Sequence, residues 1–209
     1  MMKSPITRSL LQLGAMSMLL ALSGCHTTNM GRSWAAPDAQ GRSFTKLAVV
    51  ALTKQEAYRM QAEDALVHEM HNGVASHTLL PGLNSLHDTA TAIAALRAAG
   101  CDGVLILRLK SAAVRIDPNA APTPAATPAA SLGQDVDDYW IDPSAQETYS
   151  FLPGQYFAVD VRLFDLKDDK KVWSGLAVEQ DARDVGQLVR MVRNDVLKDL
   201  RERGLIAKK

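Results

Sequence analysis

His68-Glu69-Met70-His71 places two imidazoles three positions apart with a carboxylate beside them. On a helix that spacing leaves the rings roughly 60° apart around the axis, close enough to share a metal ion. The zinc signature H-E-x-x-H needs its second histidine one residue later, and His77 and His87 fall at no ligand spacing. Two readings stand: an exposed polar helix face, or a metal or small-molecule site with His68, Glu69 and His71 as its core. Asp135, Asp137 and Asp138 form an acidic cluster lacking the glycine and terminal glutamate of a calcium loop, which reads as a solvated loop. No G-x-S-x-G elbow and no phosphate-cradling glycine loop occurs. No catalytic residue is assigned, and a non-enzymatic protein is expected.

The aromatic residues point toward binding. The chain holds 3 Trp, 4 Tyr and 4 Phe, and six of these eleven, with Ile141, crowd between Tyr139 and Phe157. Aromatic side chains are enriched at protein interfaces and their hot spots. Tyr149, Phe151, Tyr156 and Phe157 can equally pack into the core beneath a loop. Tyr139 and Trp140, flanked by acids, are expected as the exposed partner-binding element.

The other reactive position is Cys25. Lys3 and Arg8 precede an apolar stretch from Ser9 to Leu22, followed by Ser23, Gly24 and Cys25. That stretch is ~14 residues, against the ~20 that a membrane-spanning helix needs. Charge, apolar core and small residues follow in the order of a secretory signal. Leu22-Ser23-Gly24-Cys25 resembles the lipobox of bacterial lipoproteins; the alternatives are an ordinary signal with an incidental cysteine, or a buried helix. The resemblance implies that Cys25 carries a thioether-linked diacylglycerol and becomes the first mature residue, acylated on its amine. More than one acyl chain gives stable anchoring. His26, not Asp, follows the cysteine, which by the sorting pattern of such lipoproteins implies the outer membrane, facing the periplasm. No cofactor beyond that lipid is expected.

Removing residues 1–24 leaves 185 of 209 residues, and without Lys3 and Arg8 the balance is 21 basic against 23 acidic side chains. A charge near −2 gives no electrostatic case for nucleic acid. With Cys25 acylated, Cys101 has no intramolecular partner and reads as a small buried hydrophobe.

The elements that would position these residues follow from periodicity. Residues 25–43 read as a lipidated N-terminus and flexible tether in which Trp34 can pack back or meet the membrane. Residues 44–206 read as one α/β (α+β) domain. KLAVVAL (46–52) suits a strand buried on both faces. Thr53 can cap a helix with Tyr58, Ala62, Ala65, Leu66 and Met70 on one stripe, closed by Asn72-Gly73. Val74 to Leu80 is a weak strand, and Asp88 caps a helix ending at Gly100. Residues 102–116 read as a strand whose second half, around Arg108 and Lys110, turns one face to solvent. Residues 117–154, Ala/Pro-rich then acidic and aromatic, read as one long loop. A hairpin over 156–180 and a helix capped by Asp184 complete the order β-α-β-α-β-long loop-β-β-α. About five strands in a mixed sheet, covered by three helices, are expected. The arginines of the last helix, among Asp195, Asp199 and Glu202, suggest a salt-bridged surface.

KLAVVAL, AAGCDGVLILRL and LFDLKDDKKVWSG together resemble the group containing the N-terminal domain of TolB, the curli secretion lipoprotein CsgG and lipoprotein activators of penicillin-binding proteins. The resemblance implies a non-enzymatic envelope module that binds another envelope protein or self-associates.

Overall fold

LAVVAL, the apolar core of the first expected strand, is buried at every position, as a strand covered on both faces must be. The computed structural model describes residues 30–112, 131–141, 151–153 and 155–207. The signal segment, Cys25, His26, Tyr149 and the Ala/Pro-rich stretch 117–130 lie outside the described residues. Within the described residues six strands form one mixed sheet: β1 Met30–Ala35, β2 Leu47–Leu52, β3 Gly73–Ala75, β4 Gly103–Ala112, β5 Tyr156–Asp165 and β6 Lys170–Gln180. Their order is β1-β6-β5-β4-β2-β3. β2 runs parallel to β3 and β4, and the pairs β4–β5, β5–β6 and β6–β1 are antiparallel.

Among the described residues four helices cover the sheet: α1 Glu56–Val67, α2 Thr89–Ala98, α3 Leu132–Ile141 and α4 Val185–Glu202. α1 and α4 bury their apolar stripes against Leu47, Val49, Leu105, Leu107, Val159, Val161 and Trp173. α2 and α3 cover the opposite face, against Val50, Leu52, Val104, Ile106 and Phe164. Alternation along the strands sets these two faces. The single mixed domain is as expected, with one strand and one helix more.

The additional strand, β1, lies inside the expected tether. Trp34 pairs with Ser174 and stands over Lys171, whose Nζ is 5.6 Å from the indole centroid. The additional helix, α3, lies inside the expected loop 117–154. Its stripe of Leu132, Val136 and Tyr139 is buried, and Ser131 Oγ accepts from the Gln134 amide at 3.2 Å as an N-cap. α1 is shorter than its periodicity suggests. After Val67 the chain winds through tight turns, Glu69 to Leu66 and Met70 to Val67. These bring Asn72 against the first core strand, where its side chain donates to Phe44 O and its carbonyl accepts from Leu47 N.

The caps follow local chemistry. Asp88 accepts from the Thr91 amide at 3.1 Å and Asp184 from the Gln187 amide at 2.6 Å. Thr53 does not cap α1; its hydroxyl accepts from the Gln55 amide at 3.3 Å, ahead of the helix. Gly204, at φ +74°, reverses the chain after α4, so that Leu205 and Ile206 fold into the core. At Gly103 a side chain is excluded by contact, since a Cβ would lie 2.6 Å from the Phe44 ring and 2.7 Å from Leu47.

Candidate binding site

The face of the sheet under α3 carries charge where strand alternation alone would place apolar side chains. Arg108 on β4 stands directly opposite Asp160 on β5. Two residues along β5, on the same face, Arg162 pairs across to Ser174 of β6. Lys171, also on β6, lies opposite Phe164. Arg108 is therefore not on a solvent face: it is 8% exposed, because α3 closes over it.

α3 brings Asp135, 2% exposed, into this cluster. Its Oδ1 accepts from Arg162 Nη1 and, at 3.4 Å, from Arg108 Nη1. Arg162 also grips Asp160, with Nη2 at 2.6 Å and Nε at 3.1 Å from Oδ2. The Arg108 guanidinium lies 5.5 Å from the Tyr139 ring centroid. The start of α3 is held by Asp169 of the β5–β6 turn, which accepts from the Leu132 amide at 3.0 Å and sits at φ +56°. Thr89 of α2 donates to Asp137 at 2.8 Å.

The electrostatics are imperfectly balanced. Burial pushes the Asp135 carboxyl above the usual carboxylate range, against the pull of Arg162 and Arg108. Burial opposes the charge of Arg162, but its hydrogen bond to Asp160 and the charges of Asp160 and Asp135 raise its pKa. Burial, and then Arg162, lowers the pKa of Lys171. Asp135 Oδ2 and Arg108 Nε are buried without a hydrogen-bond partner. A pairing that leaves an acceptor of one partner and a donor of the other unused is poorly matched.

The expected binding residues are reached in a different form. Tyr139 is not exposed: at 2% it is buried beneath α3, because it shares the stripe of Leu132 and Val136. Trp140 is half-buried, stacked on His87 at 4.2 Å and edge-on to Tyr139 at 5.2 Å. Phe151 stacks on the buried Phe157 at 4.8 Å, the core alternative for that part of the cluster, while Ile141 and Tyr156 are exposed. Asp135, expected in a solvated loop, is the most buried charge of the cluster.

The histidine pair is not assembled on a helix face. α1 ends at Val67, and His68 and His71 both point to solvent. The carboxylate of Glu69 is 3.6 Å from Arg193. Among the described residues no group of three or more His, Cys, Asp or Glu is placed to hold a metal ion.

A second charged cluster escaped the sequence reading. Arg59 and Glu63, both fully buried on α1, pair at 3.1 Å. Glu63 Oε1 also accepts from the Ala51 amide, on the edge of β2 beyond the end of β3, and from Ser76 Oγ. Its Oε2 accepts from the His77 amide and meets His77 Nδ1 at 3.1 Å. Arg59 donates to Leu80 O, Gly82 O and Ser76 Oγ. The pair thus fastens the segment 76–82 beside β2. The signal was present: an arginine and a glutamate at i and i+4, both adjoining the Ala62–Leu66 stripe.

An open groove of ≈ 530 Å³ lies at the opposite end of the sheet, lined by Arg42, Arg97, Asp102, Asp165 and Cys101 among others. Asp102 accepts from the Thr45 and Lys46 amides, Arg42 pairs with Asp165 at 2.5 Å, and Arg97 donates to Leu166 O. Cys101 is a free, buried thiol, pushed up in pKa by burial.

No known protein family and no curated protein matches this chain. Among solved structures it is similar to PelC from Paraburkholderia phytofirmans, a dodecamer solved in two crystal forms. One is 14% identical at a TM-score of 0.43, covering 81% of this chain and 96% of that one. The other is 12% identical at 0.41, covering 81% and 94%. Lipoprotein GNA1162 from Neisseria meningitidis is 15% identical at 0.35, covering 76% of this chain and 99% of that one.

Proposed function

We propose that this chain is a non-enzymatic, lipid-anchored module of the bacterial envelope. In this reading it is attached to the outer membrane at Cys25, faces the periplasm, and binds an envelope protein or a second copy of itself. The observation that carries the reading is the run from Lys3 to Cys25, in which charge, apolar core, small residues and a thiol succeed one another in the order lipid attachment requires. No helix among the described residues is long and apolar enough to cross a membrane, so attachment in this reading rests on the acyl chains. The resemblance of β2, the α2–β4 junction and the β5–β6 hairpin to the TolB, CsgG and activator lipoprotein group supports the binding role. So does the use of charge in the fold: Glu63, Arg59, Asp102 and Arg42 all hold elements together, which suits a scaffold. Anchoring raises the local concentration of the domain at its partner.

In-cell crosslinking with membrane fractionation tests both halves. The reading predicts a crosslinked protein adduct in the outer-membrane fraction, and loss of membrane association for Cys25→Ala. A monomeric chain with no adduct, or Cys25→Ala fractionating as the wild type, would overturn it.

A further inference from the structure

The cluster under α3 has the chemistry of a receptor whose present occupant fits it incompletely. With α3 set aside, the described residues of this sheet face present Arg108, Arg162 and Lys171 together with the carboxylate of Asp160, bordered by Ile106 and Phe164. α3 shows what such a face accepts: an amphipathic helix with Leu132, Val136 and Tyr139 on one stripe and one carboxylate, Asp135, among them. Yet Asp135 meets Arg108 through a single contact at 3.4 Å and leaves Arg108 Nε and its own Oδ2 unused. Both residues are more than nine-tenths buried, where unused hydrogen-bonding groups are costly. A guanidinium engaged by a carboxylate through two parallel bonds is the stronger arrangement. We propose that the sheet face beneath α3 is a docking groove for an acidic amphipathic helix of a protein partner, which enters by displacing α3 from Arg108 and Arg162. This deepens the protein-binding reading by naming the partner's chemistry, and it rests on that reading only in taking a protein as the partner.

The test uses the full chain purified in detergent and a fluorescein-labelled peptide of residues 131–141, read by fluorescence anisotropy. The internal helix competes with the peptide in the wild type. Asp135→Lys sets a cation against Arg108 and Arg162 and releases it. The peptide should bind folded Asp135→Lys at least tenfold more tightly than the wild type, and adding Arg108→Gln and Arg162→Gln should remove that gain. Equal binding to both chains, no binding to either, or a gain insensitive to the two arginine substitutions would overturn the proposal. So would displacement of the peptide by inorganic phosphate at equal concentration, which would make the face a small-anion site. Should Asp135→Lys fail to fold, hydrogen exchange on the wild-type chain decides. Excess peptide should accelerate exchange of amides 132–141 several-fold, and unchanged exchange overturns the proposal. Because the assay contains no bilayer, its failure is distinct from failure of lipid attachment.

Discussion

Glu63 takes five hydrogen-bonding contacts on two buried oxygens, from Ala51, Arg59, Ser76 and twice from His77. Glu63→Ala leaves the buried Arg59 with only the part-exposed Glu56, 3.7 Å away, as a counter-charge and should cost ~3–5 kcal/mol in urea denaturation. Glu69→Ala removes a partly exposed pair with Arg193 and should cost ~0–1 kcal/mol. Similar losses for the two would contradict the role given to the buried pair. Glu179 is perturbed in the other direction from a stabilised carboxylate: burial, and then the charge of Asp195, raise its pKa. The folded state therefore holds that proton to higher pH than the unfolded chain. The stability it contributes is present at low pH and is lost as pH rises past the ordinary carboxylate range. Glu179→Gln should raise the melting temperature at about pH 8 and leave it nearly unchanged at about pH 4. A larger gain at the acidic end would reverse the assignment.

At the scale of elements, what could be read from the sequence depended on how far local pattern and tertiary demand agree. β2, β4 and the β5–β6 hairpin have continuous or alternating apolar runs, and α2 and α4 have aspartate caps and closing glycines, so periodicity and chain punctuation agree there. α3 carried its own signals: Ser131 as cap, and Leu132, Val136 and Tyr139 at i, i+4 and i+7. They were obscured by the Ala/Pro-rich stretch before them and by three aspartates, one of which is buried by Arg108 and Arg162 rather than by water. β1 has too few apolar residues to register alone, since its strand is made by pairing with β6. The end of α1 was misplaced because Asn72 must reach Phe44 and Leu47, a tertiary requirement invisible to helical spacing. For the same reason the spacing from His68 to His71 does not fall on a helix face, since α1 ends at Val67. The β4 entry tests packing at this scale. Gly103→Ala puts a methyl group against Phe44 and Leu47 and should lower stability by ~1–3 kcal/mol in thermal denaturation. An unchanged melting temperature would show that the contact relaxes freely.

Across the whole molecule, two helices on each face of one sheet build a scaffold whose faces differ in chemistry. The α1–α4 face is apolar around Trp173, which is fully buried and donates from Nε1 to Asp199 at 2.6 Å. Trp173→Ala should therefore cost ~3–5 kcal/mol in chemical denaturation. The α2–α3 face combines an apolar half with the Arg108–Asp135–Arg162 cluster, the face proposed above to dock a partner helix. In the proposed function this scaffold is delivered to a membrane through Cys25. Mass spectrometry of the N-terminal peptide from cells making the full chain tests it most directly. The account predicts that the mature protein begins at Cys25, carrying a diacylglycerol on its sulfur and an acyl chain on its amine. A chain that still begins at Met1, or a Cys25 bearing no lipid, would contradict it.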